Sequence, residues 1–368
     1  MPKELRGGYT TGACAAAGAL AALRFLRGEP SSEVCFPALD GTPLTIPVKN
    51  VCRIEGGAEA EIVKFSGDDP DITNGVSVFT RLTRGAAGSG LTFCAGEGIG
   101  TVTKPGLSVP VGEPAINPGP RRLIRAVLAR ELGADAPLDF VVTIAIPAGR
   151  ELAQNTLNPV LGVTGGISVI GTTGVLRPMS EEGFKNSLVP QIDVALATGY
   201  DPLVFAPGKI GENLAAKAGI PRGAVVETSN FIGFLLDAAA ERGAKDVLLF
   251  GHIGKLVKVA AGNFYTHNRI SDARLETMAA YAAAAGLGRA GVQAILAANT
   301  TEDALAIIDD AGLEAVYTTL AERASARAER HAFSKLRVGT VLLTLAGRVL
   351  GMDAAAREMG GRYHWQFS

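Results

Sequence analysis

The sequence has few of the residues that mark several classes of protein. Aromatic residues make up 6% of the 368 positions, with a single tryptophan. The four cysteines are widely spaced and contain no Cys-x-x-Cys pair: Cys14, Cys35, Cys52 and Cys94. This spacing argues against a disulfide framework and against a cysteine metal site. We therefore expect four buried free thiols in the reducing cytoplasm.

An excess of one charge and a long apolar run are also missing. The 35 basic and 36 acidic residues give a net charge of -1, so we expect no nucleic-acid partner. No stretch of roughly 18 apolar residues is present, so no membrane span is expected. The run from Ala13 to Leu23 follows Lys3 and Arg6 as in a signal peptide. Because Glu4 and polar residues interrupt that pattern, an amphipathic first helix is the better interpretation.

Glycine, in contrast, is abundant, and several glycines directly follow short apolar runs. The run Asp246 to Phe250 ends at Gly251, and Gly254 follows just before a helical pattern. Similar units begin at Phe140, Ile167, Leu203 and Val225. Strands that alternate with helices indicate βαβ units and a mostly parallel, Rossmann-like sheet.

The first part of the chain has a different pattern, in which short β-rich runs alternate with Gly, Pro and Asp. The runs are Leu44 to Val48, Val51 to Ile54, Ala60 to Phe65 and Val76 to Leu82. We predict an N-terminal, mainly antiparallel α+β domain over residues 1–137 and an α/β domain over residues 138–368. The final strands, within residues 338–352, fit either sheet.

Polar residues gather where the predicted parallel strands end. His252 and Lys255 follow the strand that begins at Asp246, and the loop from Asn263 to Arg269 adds His267. Because ligands bind outside the carboxyl ends of strands in such sheets, this edge is the candidate active site.

Three N-terminal features each allow two interpretations. Thr10 and Thr11 either cap the first helix or contact a ligand there. The carboxylates of Asp68, Asp69 and Asp71 form either a solvated turn or a metal site, although their spacing does not fit an EF-hand. Arg121 begins a helix, where its charge opposes the helix dipole, so it is either exposed or paired with a carboxylate ligand.

Together these segments closely resemble the cobalt-precorrin-5B C1-methyltransferase (CbiD-type) family of anaerobic cobalamin biosynthesis. The resemblance lies in Leu5–Cys14, Gly67–Asp71, Gly96–Leu107, Gly112–Pro118, Leu161–Ser180, Ser229–Gly233 and Gly251–Arg274. One difference is the pair Lys209-Ile210 between two glycines, where the family pattern leads us to expect asparagine and an aromatic residue.

The resemblance implies transfer of a methyl group from S-adenosylmethionine to C1 of cobalt-precorrin-5B, giving cobalt-precorrin-6A. The cobalt enters with the substrate, so no protein metal site is required. A macrocycle edged with carboxylates needs cations and N–H donors. The candidate substrate-binding residues are Arg6, Thr10, Thr11, Lys104, Arg121, Lys255 and Arg269. If the reaction needs a base, His252 and His267 are the candidates.

Two glycine turns are candidate sites for S-adenosylmethionine. The first comprises Gly208, Gly211 and Asn213, with Glu227 at the end of the next strand placed to bind the ribose. The second is Gly171-Thr172-Thr173-Gly174, the stronger family signature.

Two other functional classes and two partner questions stay open at this point. A nucleotide- or phosphate-dependent transferase would use the same loops, although no Walker lysine pattern is present. A non-catalytic tetrapyrrole-binding or carrier protein would bind the macrocycle without S-adenosylmethionine. A homodimer and handover to neighbouring pathway enzymes are both compatible with the resemblance.

Overall fold

A computed structural model of the chain describes residues 5–133 and 135–367 and contains two compact units. One unit extends to residue 181, and the other begins at residue 182. The boundary predicted between residues 137 and 138 falls within the first unit. The strand Phe140–Ala145 explains this difference, because it pairs with strands on its N-terminal side in sequence.

The first unit combines short strands with two long helices. Its strands are β1 (Gly8–Tyr9), β2 (Glu33–Pro37), β3 (Pro43–Pro47), β4 (Asn50–Ile54), β5 (Gly57–Val63), β6 (Ser77–Arg84), β7 (Leu91–Ala95), β8 (Thr101–Val102), β9 (Phe140–Ala145), β10 (Val163–Thr164) and β11 (Val175–Leu176). Its helices are α1 (Thr11–Leu26), α2 (Pro118–Leu132), α3 (Gly149–Leu152) and α4 (Asn158–Leu161), with a 3₁₀ turn at Ala153–Asn155.

A five-stranded sheet with the order β4-β5-β6-β9-β7 forms the centre of this unit. All neighbours are antiparallel except β7 and β9, which confirms the predicted antiparallel region. Helix α1 packs on β5 and β6, and it is buried from Thr11 to Leu23. Its small residues allow the close approach: a Cβ on Gly18 would lie 2.7 Å from Oγ1 of Thr80.

The second unit is an α/β sandwich. Its helices are α5 (Glu181–Leu188), α6 (Pro190–Ala197), α7 (Lys209–Lys217), α8 (Ile232–Glu241), α9 (Ile253–Ala260), α10 (Arg274–Ala284), α11 (Arg289–Ala297), α12 (Thr301–Asp310), α13 (Ala315–His331) and α14 (Ala354–Tyr363), with a 3₁₀ turn at Arg222–Ala224. Its strands are β12 (Leu203–Ala206), β13 (Val225–Glu227), β14 (Asp246–His252), β15 (Arg337–Leu343) and β16 (Val349–Met352).

The strand order β13-β12-β14-β15-β16 confirms the predicted, mostly parallel sheet. The first four strands are parallel, and β16 is antiparallel to β15. The two final strands therefore belong to this sheet. From β12 the chain crosses to β13 on one side, and from β14 it crosses to β15 on the other. The carboxyl ends of β12 and β14 thus form the topological switch point, where sheets of this type bind ligands.

Two strands predicted for the parallel sheet lie elsewhere. The Phe140 strand is β9 of the antiparallel sheet. Residues 167–170 form only isolated bridges, in which Ile167 pairs with Ile99 and Val169 with Ile116. Both segments are apolar enough for a buried strand, and their burial in the first unit satisfies that pattern equally well.

Candidate active site

A cavity of about 320 Å³ lies at the carboxyl end of β14. The residues that line it come from two loops and from the starts of α9 and α10: Asn230, His252, Gly254, Lys255, His267, Asn268 and Arg274. Three of the predicted site residues, His252, Lys255 and His267, are thus brought together. Asn230, Asn268 and Arg274 were not predicted, although each lies in a segment that carries the family resemblance.

His252 ends β14 and caps α9. Its Nδ1 accepts a hydrogen bond from the backbone N–H of Gly254 at 3.2 Å, and its Nε2 lies 3.1 Å from Oε1 of Glu302. Because Nδ1 is an acceptor, the neutral ring carries its proton on Nε2 and donates it to Glu302. Both ring nitrogens of His252 therefore already take part in hydrogen bonds. A general-base role for His252 would require loss of the helix cap.

Gly254 leaves room for this arrangement. A Cβ at that position would lie 2.8 Å from Cε1 of His252 and 3.3 Å from Oγ1 of Thr301. Any side chain would displace the histidine ring or move α12 away. The glycine predicted as a turn residue therefore has a packing role in the first turn of α9.

Lys255 projects from the first turn of α9, and its Nζ donates to Oδ1 of Asn230. Burial, followed by the nearby positive charge of Arg274, lowers the pKa of Lys255. Asn230 follows Ser229, whose φ of +50° lies in the left-handed region that non-glycine residues seldom adopt. Such strain is common at functional sites. Here the strained residue directly precedes Asn230, the acceptor of the Lys255 hydrogen bond.

His267 lies on a loop that the buried Lys258 holds in place. The Lys258 ammonium donates to the carbonyl of Thr266 at 3.0 Å, to Oδ1 of Asn268 at 2.6 Å and to the carbonyl of Ser271 at 2.9 Å. These three bonds use all of its N–H groups. Sequence reasoning missed Lys258, although a lysine inside the apolar run of α9 was a signal for a buried, partnered charge.

The ring of His267 has the same tautomer as His252. Its Nδ1 accepts from the backbone N–H of Arg269 at 3.1 Å, so the neutral ring has its proton on Nε2. Within the described part of the chain, this N–H has no hydrogen-bond acceptor. His267 therefore offers a donor to the cavity, whereas the predicted base role needs a free lone pair.

The first predicted glycine turn lies at the switch point. Gly208 has a φ of +95° and precedes α7, and a Cβ on Gly211 would approach the Cβ of Ala206 to 3.2 Å. Ala206 pairs with Glu227 at the ends of β12 and β13. The turn and the carboxylate thus have the positions that a nucleoside-binding turn and its ribose ligand take in doubly wound sheets. Asn213 is exposed on α7.

A second carboxylate, Glu212, is buried beside Glu227. Glu212 lies 3.0 Å from Lys209 Nζ and 3.2 Å from Arg222 Nη2. Burial, followed by repulsion from Glu212, raises the pKa of Glu227. Gln191 fixes the backbone of Glu227, since its Oε1 accepts the Glu227 N–H at 3.0 Å.

The second predicted glycine turn, residues 171–174, belongs to the first unit. A Cβ on Gly171 would lie 2.3 Å from Oγ1 of Thr10. The carbonyl of Thr173 accepts from Leu39, and that of Gly174 accepts from Thr10. The turn packs closely against the start of α1, so these contacts explain its glycines without a ligand.

Both threonine hydroxyls are also used inside the first unit. Thr10 Oγ1 accepts from the N–H of Ala13 at 3.2 Å and caps α1. Thr11 Oγ1 accepts from the N–H of Ile170 at 3.0 Å. Capping and loop attachment account for both residues. Thr172, in the glycine turn over residues 171–174, is exposed.

The other predicted cations have mixed surroundings. Lys104 donates to the carbonyl of Val160 at 3.1 Å. Arg121 donates to Glu113 at 2.8 Å, so a carboxylate of the chain itself compensates its charge at the helix start. Arg269 is exposed and is not among the residues that line the cavity.

The acidic loop of the first unit is paired with cations and backbone. Arg6 lies 2.9 Å from Asp68, and Lys64 lies 2.6 Å from Asp71. Asp69 accepts the backbone N–H of Met179. Across residues 5–133 and 135–367 no group of three or more His, Cys, Asp or Glu side chains is arranged to hold a metal ion.

The fold and the cavity define an α/β protein with a polar, cationic pocket beside a glycine turn and an acidic strand end. The chain belongs to the CbiD family. The family model for CbiD matches residues 1–178, and the model for the CbiD C-terminal domain matches residues 265–354.

Relatives that cover nearly the whole chain agree with this family. The cobalt-precorrin-5B C(1)-methyltransferase of Moorella thermoacetica is 51% identical over 98% of this chain and 98% of its own length. Proteins of the same name from Desulfitobacterium hafniense and Methanocaldococcus jannaschii are 44% and 43% identical. They cover 97% and 95% of this chain, and 92% and 96% of their own lengths.

A crystal structure of the cobalamin biosynthesis protein (cbiD) from Archaeoglobus fulgidus is also similar. It has 27% sequence identity and a TM-score of 0.39, and it covers 72% of this chain and 83% of its own. None of the described helices has both the length and the hydropathy needed to span a membrane.

Proposed function

We propose that the chain transfers a methyl group from S-adenosylmethionine to C1 of cobalt-precorrin-5B, giving cobalt-precorrin-6A. The observation that carries this proposal is the 51% identity, over almost the full length, with a protein of that activity by name. In the transfer a carbon–carbon bond forms at C1, the bond between sulfur and the methyl group breaks, S-adenosylhomocysteine is released, and the macrocycle loses one proton to solvent. All four cysteines are free thiols, which favours the cytoplasm as the compartment. The prediction that all four are buried is wrong, because Cys35 and Cys52 lie exposed and only Cys14 is fully buried.

We place S-adenosylmethionine at the switch point, against Gly208, Gly211 and Glu227. The open left-handed conformation of Gly208 and the strand-end position of Glu227 support this choice over residues 171–174. An ionised Glu227 can accept both ribose hydroxyls, since a carboxylate has two acceptor oxygens. Nothing within 4 Å would meet a Cβ on Gly208, so ligand atoms have room there.

We place the acceptor macrocycle at the cavity around His252, Lys255 and His267. In this position the role of the chain is to orient the macrocycle, because methyl transfer depends on aligning the nucleophilic carbon with the sulfonium. The hydrogen bonds of the two histidines make them positioning and donor groups. The cobalt is part of the substrate.

Anaerobic assay of the purified protein with cobalt-precorrin-5B tests this function. We expect a product heavier by one methyl group in place of hydrogen, formed only when S-adenosylmethionine is present. Titration calorimetry should show binding of S-adenosylhomocysteine without the macrocycle. A carrier protein would bind the macrocycle and leave its mass unchanged, and that result would reject the methyltransferase proposal.

A further inference from the structure

The cavity beside α9 presents donors of hydrogen bonds almost exclusively. Lys255 and Arg274 are the cations that line it, and no carboxylate is among its described lining residues. The ammonium of Lys255 has three N–H groups, of which one is donated to Asn230. The guanidinium of Arg274 has five, of which two reach Asp272. Several donors on both cations remain for a ligand.

The two amide side chains in the cavity have a defined orientation. Lys255 bonds to Oδ1 of Asn230, and Lys258 bonds to Oδ1 of Asn268. An ammonium group has no acceptor, so the oxygen of each amide must face its lysine. The NH₂ groups of Asn230 and Asn268 are then left as donors. The Nε2–H of His267 adds another.

A ligand that matches this lining of donors and cations accepts hydrogen bonds and carries negative charge. Burial strengthens the preference of the cavity for a negatively charged ligand, because Lys255 and Arg274 lie in a partly enclosed site where water screens charge less. Pockets that hold whole drug-sized ligands occupy roughly 300–1,000 Å³. At about 320 Å³ the cavity suits one acidic side group of a macrocycle better than the ring itself.

We propose that this cavity is a carboxylate subsite, in which Lys255, Arg274 and the Nε2–H of His267 bind one acidic side group of the acceptor substrate. This inference rests on the proposed function and deepens it. It assigns Arg274 a binding role in place of the exposed Arg269. It also assigns Lys258 a positioning role, because Lys258 holds the loop that carries His267 and Asn268.

The amino-acid carboxylate of S-adenosylmethionine is another source of the same chemistry, and the test separates the two. The variants are Lys255→Met, Arg274→Met and the double variant. Their matched controls, Lys335→Met and Arg323→Met, remove exposed charges elsewhere in the second unit. Each protein is assayed for the KM of cobalt-precorrin-5B and, without macrocycle, for the Kd of S-adenosylhomocysteine.

For each single site variant we expect KM to rise about 10- to 100-fold, as for lost hydrogen bonds to a charged group. The Kd of S-adenosylhomocysteine should stay within about twofold, which also shows that the variants are folded. The controls should match the wild type. A raised Kd of S-adenosylhomocysteine with an unchanged KM of cobalt-precorrin-5B would overturn the proposal. That result would show that the cavity binds the carboxylate of S-adenosylmethionine.

Substrate esters provide a second test. Wild-type protein should bind the fully methyl-esterified acceptor more weakly than the acid, whereas the double variant should bind both forms nearly alike. Equal discrimination by both proteins would overturn the subsite. Failure of the wild type to methylate any acceptor would instead reject the proposed function, so the two failures are distinguishable.

Discussion

Nε2 of His252 lies 3.1 Å from Oε1 of Glu302, a contact that joins the end of β14 to the first turn of α12. The same carboxylate oxygen accepts the backbone N–H of Leu345 at 3.0 Å. Three segments that are distant in sequence therefore meet at His252, a residue that lines the cavity. The contact fixes the ring of His252, which in turn caps α9, the helix that carries Lys255 and Lys258.

The capping role of His252 predicts different results for two substitutions. His252→Ala removes the cap of α9 and should lower the free energy of unfolding by about 0.5–2 kcal/mol. His252→Asn keeps a side-chain acceptor for Gly254 and should recover most of that loss. If His252 positions the helix, kcat of the asparagine variant should fall less than about tenfold. A stable His252→Asn protein with kcat reduced about 100-fold would instead indicate direct acid–base chemistry.

Glu227→Ala should weaken the binding of S-adenosylhomocysteine. Loss of hydrogen bonds from the ribose to a carboxylate corresponds to about 1.5–3 kcal/mol, or roughly a 10- to 100-fold increase in Kd by calorimetry. Glu241→Ala is the matched control, because Glu241 is an exposed glutamate at the end of α8. An unchanged Kd in a folded Glu227→Ala protein would move the binding site to residues 171–174.

The environment of Glu227 also predicts a pH dependence of stability. Burial and Glu212 raise its pKa in the folded state, while Lys209 and Arg222 oppose the shift. Between the unfolded and folded pKa values the native protein binds more protons, so this group lowers stability as pH rises. At pH values above the folded pKa of Glu227, the substitution Glu227→Gln should therefore raise Tm. The gain in Tm should disappear below about pH 4.5, near the pKa of an unperturbed glutamate. Calorimetric scans from pH 4 to 8 measure this. A gain independent of pH would contradict it.

Lys258→Met should destabilise the protein and release the loop over residues 266–271. The substitution leaves the acceptors of Thr266, Asn268 and Ser271 without their shared donor in a buried place. We expect the free energy of unfolding to fall by about 2–4 kcal/mol in urea titrations. Amide hydrogens of the loop should exchange faster. Lys335→Met, at an exposed position, should change stability by less than about 0.5 kcal/mol.

The sequence by itself determined the parallel strands of the second unit and much of its ligand-binding edge. The apolar runs that become β12, β13 and β14 are short and end at Pro-Gly, at glycine or at polar residues, so both their type and their ends could be read locally. Parallel strands place their carboxyl ends together. For this reason His252, Lys255 and the turn at Gly208 could be assigned to one edge before the structure was known.

Tertiary structure decided which partner each segment and each charge would have. The Phe140 run forms a strand as predicted, but hydrogen bonding to β6 and β7 selected the antiparallel sheet. The charge of Arg121 at the start of α2 is compensated by the carboxylate of Glu113, which accepts a hydrogen bond from it. Arg274, rather than Arg269, reached the cavity, and both histidines used their Nδ1 atoms for backbone N–H groups. Local pattern specifies helix, strand and turn. The choice among distant partners depends on long-range burial and on competition for hydrogen bonds, which only the folded chain resolves.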